Sequence, residues 1–370
     1  MKTPPFRADH VGSLLRPQSV KDARTKFYEE GSIPVEELRA AEDAAIRDAV
    51  KLQEEAGLPV VTDGEIRRSW WHYDFMGMLD GLDIVEQEGS GLAFTGVTTK
   101  AKAPVVSKRI DFPADHPMLE HFRFLAGTTK VMPKISIPGP SCCHYRLDAK
   151  NIHVKEYQED ITAYFADLTA AYKKAVHAFY DAGCRYLQMD DIFYAYLCDE
   201  KQRQMWKDRG TDPDWLIDEY AKMMRDSIAD RPDDMTIGMH MCRGNFQSTW
   251  VAQGGYDPAA EAIFSTGIDV FFMEYDTDRA GGLEPLKLLP KGKQRVMPGF
   301  ITTKSPELES IDELKKHFDE ASKYCDLDQL GIAPQCGFSS TEEGNKVTMD
   351  DQKRKLELVV KTAEAIWGEV

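Results

Sequence analysis

Gly238-Met239-His240-Met241-Cys242-Arg243-Gly244-Asn245 lies past the middle of the chain, after the apolar start Thr236-Ile237. Side chains alternate faces along a strand, so His240 and Cys242, two residues apart, point the same way. An imidazole and a thiol side by side are half of a zinc site. Two candidates for the other half stand in matching places. Glu274 ends Asp269-Val270-Phe271-Phe272-Met273-Glu274, and Cys336 ends Leu330-Gly331-Ile332-Ala333-Pro334-Gln335-Cys336. One imidazole, two thiolates and one carboxylate make a tetrahedral zinc shell. A His-x-Cys pair is a weak signal alone, and its weight depends on where those strand ends sit.

Working outward, apolar strand patterns alternate with helical ones. Phe6-Arg7-Ala8-Asp9-His10-Val11-Gly12-Ser13 reads as a short strand ending in a turn. The periodic stretch Val35 to Glu55 reads as a helix stopped by Gly57 and Pro59, before Val60-Val61-Thr62-Asp63-Gly64-Glu65. Val131 to Pro138 is a third strand. A helix over about 155–182, capped by Gly183, precedes Arg185-Tyr186-Leu187-Gln188-Met189-Asp190-Asp191. Helices at about 215–229 and 261–266 flank the His240 strand. The Arg295 to Ile301 strand leads to helices over about 311–324 and 350–367, on either side of the Cys336 strand. Residues near 82–112, punctuated by Gly89, Gly91 and Gly96, break this rhythm and read as a β-hairpin insertion, a lid or a surface excursion.

Eight strand candidates, most followed by a helix, predict an α/β fold: a single (β/α)8 TIM barrel over residues 1–370. An open doubly wound sheet is the alternative, but no Gly-x-Gly-x-x-Gly turn follows the first strand. Ser13, Glu65, Ser141, Asp190, Cys242, Glu274, Lys304 and Cys336 all fall at or just past the C-terminal ends of their strands. In a barrel those ends converge on one rim, where active sites form.

A formal net charge of −16 over 370 residues argues against nucleic acid or an anionic membrane surface as partner. There is no signal-peptide layout and no apolar run long enough to span a bilayer. The 7 cysteines are scattered rather than framed for disulfides, which fits reduced thiols in a cytoplasm. Cys142, Cys143, Cys184, Cys198 and Cys325 read as small apolar residues.

Zinc held by two thiolates, an imidazole and a carboxylate is electron-rich for a Lewis acid. It is poorly suited to activating water and well suited to binding a thiol, lowering its pKa and keeping the sulfur nucleophilic. The carboxylate is the ligand an incoming thiolate displaces most easily. A closed structural zinc is the plainer reading of the same residues.

The chain resembles the cobalamin-independent methionine synthase family, specifically its C-terminal catalytic barrel, over nearly its whole length. The resemblance rests on Gly12-Ser13, Gly64-Glu65, Gln188-Met189-Asp190-Asp191, the pair His240 and Cys242, Glu274, and Cys336 before Gly337. It implies zinc on His240, Cys242, Glu274 and Cys336, with Ser13 at the carboxylate of homocysteine and Glu65 and Asp190 at its ammonium. Two departures stand out. Lys304, before Ser305-Pro306, stands where that family has a proton-donating histidine; it serves as an acid if burial lowers its pKa, and otherwise binds an anion. The Gly139-Pro140 turn continues Ser141-Cys142-Cys143-His144 without the family's folate-stacking tryptophan. The full-length synthases carry a second, N-terminal barrel for which 370 residues leave no room. The stretch from Glu65 through Arg67-Arg68-Ser69-Trp70-Trp71-His72-Tyr73 resembles the short single-barrel relatives. There Arg67 and Arg68 are placed to hold an anionic tail and Trp70 or Trp71 a flat ring. His10, His72 and His144 read as hydrogen-bonding supports near the rim.

These residues point to zinc-dependent methyl transfer from a small-molecule donor to a thiol acceptor, homocysteine first, with Lys304 and Asp190 as the catalytic side chains. The runner-up is alkyl transfer to another thiol, such as epoxide opening by coenzyme M. A non-enzymatic metal- or thiol-binding barrel is the third reading. A homo-oligomer is compatible with all three, and nothing in the sequence marks its surface.

Overall fold

The computed structural model describes residues 3–87, 93–94, 97–98 and 102–370. The Val60–Val61 strand (β1) pairs parallel with Met132–Pro133 (β2). Ile135–Pro138 (β3), Tyr186–Asp190 (β4), Thr236–Met241 (β5), Val270–Glu274 (β6) and Arg295–Gly299 (β7) form a parallel sheet of five in chain order. β3, β4 and β6 are buried along their whole length, as parallel strands covered on both faces must be. Past β7, isolated parallel bridges link Val296 to Leu330, Ile301 to Pro334, and Ile332 to Ala8.

The fold is therefore α/β, with its strand segments side by side in sequence order. The strands expected over residues 6–13 and 330–336 are reduced to these single bridges. Pro334 has no N–H to extend a ladder. The Asp9 carboxylate turns inward, accepting from the Lys134 ammonium at 2.7 Å and the Tyr186 hydroxyl at 2.7 Å. The first segment meets β1 through Leu14 N donating to Gly64 O at 3.0 Å and Thr62 Oγ1 to Gly12 O at 2.6 Å, rather than through a ladder.

Lys134, between β2 and β3, is fully buried and also donates to Gln188 Oε1 at 2.9 Å. Val60, Tyr186, Val270, Phe272 and Met297 pack together as a smaller apolar cluster. Outside the sheet, the Val35–Glu55 helix buries Leu38, Ile46 and Val50, and the Ile161–Asp181 helix buries Tyr164, Leu168 and Tyr172. The helix expected over 155–182 is broken at Asp160. That residue is extended at φ −146 and caps the second piece by accepting from Thr162 N.

The insertion is a hairpin, as expected: Asp80–Glu86 pairs antiparallel with Lys102–Asp111. Ala93–Phe94 pairs with Val97–Thr98, and Gly89, Gly91 and Gly96 lie outside the described residues. Two helices the sequence reading did not anticipate, Phe193–Tyr196 and Glu200–Asp208, follow β4.

Candidate active site

At the C-terminal ends of the strands lies a cavity with an empty volume of about 680 Å³. Its floor holds His240, Cys242 and Cys336, whose ligand atoms lie within 4.8 Å of one another. The two sulfurs are 3.8 Å apart. Two thiolates about 2.3 Å from a tetrahedral zinc stand about 3.8 Å from each other, so the pair is already at chelating distance. His240 Nδ1 is buried, lies 3.5 Å from Asp190 Oδ1 and makes no hydrogen bond. A buried imidazole nitrogen with no hydrogen bond, beside two thiols, fits a metal ligand.

The protonation of this floor is set by its own members. The Cys336 thiol is held well below its usual range by the hydrogen bond with Cys242 and, against burial, by His240. Burial would lower His240, but the Cys336 thiolate and Asp190 outweigh it and hold it up at about 10. The floor favours a thiolate, as a soft metal site needs.

Glu274 lies outside that group of three. Its Oε2 accepts from Arg243 N at 2.6 Å, and its Oε1 faces Arg279 and the Lys304 ammonium, the latter at 3.2 Å. Burial would raise Glu274, but Lys304, Arg279 and Arg243 outweigh it and hold it down at about 2. Lys304 also sits 3.4 Å from Asp276 Oδ2 and does not line the cavity. Burial alone would lower its pKa; Glu274 and Asp276 reverse that and raise it. The lowering that would make Lys304 a ready acid is absent, because two carboxylates stabilise its charge.

Ser13, Glu65 and Asp190 do reach the cavity. The motifs that bring them there have steric reasons. A Cβ on Gly337 would lie 1.8 Å from Ser13 Oγ, and one on Gly12 would lie 2.9 Å from Glu65 Oε1. Both glycines allow the strand ends to close on the site. Glu65 itself has φ +55, a left-handed conformation that a glutamate rarely adopts. It is held by Asp63 Oδ1 accepting from its N–H at 2.8 Å and by Arg16, which donates to its carbonyl at 2.7 Å. Burial, with Asp190 adding to it, pushes the Glu65 carboxyl up to about 7 despite the paired Arg68.

Of the remaining candidates, Arg67 points away. Its guanidinium is paired to Glu42 at 3.2 Å and Asp43 at 2.5 Å, beside a neighbouring pocket. Arg68 takes the cavity position instead, bonded to Glu65 and to the Ser340 carbonyl at 2.7 Å. Ser141 bonds Asp191 and does not line the cavity.

Above the floor the walls are aromatic. Trp70 stacks on Phe246 with ring centres 6.1 Å apart, Trp71 lies tilted against His72 at 4.4 Å, and Phe193 packs edge-on to Tyr196 at 5.4 Å. All six line the cavity. Sequence reasoning had marked Trp70, Trp71 and His72 but missed Phe193, Tyr196 and Phe246. Phe193 and Tyr196 follow the acidic pair on an unpredicted helix, and Phe246 follows the Gly244 turn. None of the described hairpin residues lines the cavity.

The catalytic-domain model of the cobalamin-independent synthases matches residues 6–364. Two Bacillus subtilis proteins, YxjG and YxjH, both described as uncharacterized, are 48% and 46% identical to this chain, covering 99% and 98% of it and 96% and 95% of their own lengths. The 5-methyltetrahydropteroyltriglutamate–homocysteine methyltransferase of Bacillus velezensis is 24% identical over 91% of this chain, which spans 40% of that protein. Among solved structures, a putative vitamin-B12 independent methionine synthase from Listeria monocytogenes superposes with a TM-score of 0.79 at 38% identity, over 100% of both chains. A B12-independent methionine synthase from Shewanella sp. W3-18-1, solved with selenomethionine, shares the fold at a TM-score of 0.70 and 18% identity, covering 98% of this chain and 97% of its own.

Proposed function

The chain belongs to the cobalamin-independent synthase catalytic-domain family, and from that premise we propose that it is a zinc-dependent thiol methyltransferase with homocysteine as acceptor. The observation that carries the reading is the floor of the cavity: two sulfurs 3.8 Å apart beside an imidazole whose Nδ1 has no hydrogen bond. His240, Cys242 and Cys336 would hold the ion, and Glu274 is the fourth ligand proposed. In this arrangement the Glu274 charge is answered by Lys304 and Arg279, so taking that role requires its carboxylate to exchange those partners. Zinc bound there supplies one thing, a thiol acceptor kept as a nucleophilic sulfur at neutral pH.

The chain's own residues do the rest. Ser13 is placed for the acceptor's carboxylate, and Glu65 and Asp190 for its ammonium. Asp190 Oδ1, 3.5 Å from His240 Nδ1, adds negative charge beside that side of the floor. We assign Lys304 to holding Glu274 and Asp276, a charge-setting role, in place of direct proton donation. We further read the segments as one closed (β/α)8 domain acting in the cytoplasm.

Arg68 and Arg146 also line the cavity and give a second reading some footing, in which the acceptor thiol carries a sulfonate, as coenzyme M does. Substituting Glu65 separates the two. Glu65→Gln weakens homocysteine and leaves a sulfonate thiol unaffected if the first reading holds. The overall test is zinc content and methyl transfer to homocysteine in the intact protein, with both lost in Cys242→Ser and Cys336→Ser. A protein that binds no zinc ends the proposal.

A further inference from the structure

His72 fills a place in the cavity that the thiol reading does not use. The sequence suggests a hydrogen-bonding support, yet neither ring nitrogen has a hydrogen-bond partner, although the residue is only 2% exposed and lines the cavity. Its ring lies tilted against Trp71 and Tyr73, with centres 4.4 and 3.9 Å away. Packing alone does not explain an imidazole there, because a phenyl ring fills such a slot without burying two polar atoms. Buried polar atoms find partners, and in a cavity wall the ligand can supply them.

The charges around His72 indicate the kind of ligand. Burial, then Arg146 and Arg68, hold its pKa well down, so the ring is neutral and offers one N–H. Both guanidiniums line the same cavity. Glu65, the carboxylate paired with Arg68, is pushed up to about 7 by burial and answers that charge only in part at neutral pH. Behind Arg68 stands Arg16, which donates to the carbonyl oxygens of Glu65 and Arg68 and is lowered to about 9 by burial, Arg68 and Arg24. Cations crowd this side of the cavity. Arg146, with Phe193 and Tyr196, also lines an adjoining cavity with an empty volume of about 970 Å³, which gives a ligand at this wall room to extend.

Resting on the thiol-transfer reading only for the cavity's being the substrate site, we propose that His72, Arg68 and Arg146 form a subsite for an oxyanion of a substrate, a carboxylate or a sulfonate. The His72 N–H donates to one oxygen, and the two guanidiniums supply the charge that holds the group in place. His72 is then a substrate-contacting residue rather than a support. Such an acid group belongs either to the acceptor thiol or to the methyl donor, and the two sources are separable.

Two binding measurements on the full-length protein test this, read by tryptophan fluorescence because Trp70 and Trp71 stand beside His72. The first compares phenylacetate with its neutral isostere phenylacetamide. Wild type binds the acid about tenfold tighter, and His72→Phe, which keeps a ring against Trp71, and Arg146→Gln each cut that preference to about threefold or less. An unchanged affinity for the amide shows that the cavity is intact in the variants. Equal binding of acid and amide by the wild type, or an unchanged preference in both variants, overturns the proposal. The second measurement separates the sources, with phenylacetate already bound. Displacement by homocysteine, but not by 3-aminopropanethiol, which lacks only the carboxylate, assigns the subsite to the acceptor. Homocysteine binding alongside phenylacetate assigns it to the methyl donor. Neither measurement touches the thiol reading, which fails separately if homocysteine adds no sulfur to the metal.

Discussion

The floor and the walls of the cavity are made in different ways. Floor residues come from two places far apart in sequence: His240 in β5 with Cys242 just past it, and Cys336 two residues beyond the bridge at Pro334. The ladder of β5 fixes His240 and Cys242, and register is stiff; Cys336 is brought up by the bridge of Ile301 to Pro334. Wall residues come from segments beyond the strand ends, where Trp70 and Phe246 are bridged to Thr341 and Thr249. Under the proposed function, reaction chemistry sits on the floor and substrate choice on the walls, the division α/β barrels use generally. Substitutions in the floor should therefore abolish function, and those in the walls should redirect it.

Cys336→Ser gives the largest expected effect. Metal content falls from about one per chain to nearly none, and thiol methylation drops by roughly a thousandfold or more, since the ion supplies several kcal/mol. Elemental analysis and a transfer assay check this. A variant that keeps its metal would erase the distinction between floor and wall.

Glu65→Gln comes next. It should raise the KM for homocysteine about ten- to a hundredfold, the worth of a charge-assisted contact of about 1.5–3 kcal/mol, with metal content unchanged. The wild-type Glu65 carboxyl, pushed up to about 7, is neutral below that pH and charged above it. Homocysteine affinity should rise as pH climbs through 7, and the rise should vanish in the variant. Persistence of the same profile in Glu65→Gln would assign it to another group.

Lys304→Met sharpens the role given to that residue. It leaves Glu274 with Arg243 and Arg279 only, and should cost about 3 kcal/mol of stability in denaturant titrations while slowing transfer less than about tenfold. A hundredfold fall in kcat, with stability intact, would instead restore Lys304 as the proton donor.

The smallest effect lies behind the wall. His144 accepts or donates at 2.7 Å with Tyr220 and stacks on Trp206, and burial lowers its pKa to about 3. The unfolded imidazole titrates near 6.5, so the stability it contributes is complete above 6.5 and is lost as pH falls toward 3. His144→Gln should shift acid unfolding, followed by near-UV circular dichroism, to lower pH with no change in metal content. An unchanged acid midpoint would mean that other buried histidines, such as His116 at about 4, dominate.

The sequence made the floor legible because each ligand ends an apolar strand, and alternation there has one meaning. Ser13, Glu65 and Asp190 were legible for the same reason. Of Arg67 and Arg68, both marked in the sequence, Arg68 alone reaches the cavity, because adjacent residues in the turn after the left-handed Glu65 diverge, which no periodicity reports. Lys304 was found, but its partner Asp276 lies two residues past the strand that ends in Glu274 and carries no pattern of its own. The bridge-only segments at 6–13 and 330–336 kept strand-like composition while Pro334 and the inward-turned Asp9 limited their pairing. Phe193, Tyr196 and Phe246 were missed because single aromatics after a strand look like packing until a cavity faces them.

The central claim is tested most directly by X-ray absorption at the zinc edge, with and without homocysteine. The account predicts a resident zinc with two sulfur ligands, one imidazole and one oxygen, going to three sulfurs with the oxygen lost when homocysteine is added. A zinc edge that shows two sulfurs both before and after, or no zinc at all, would contradict it.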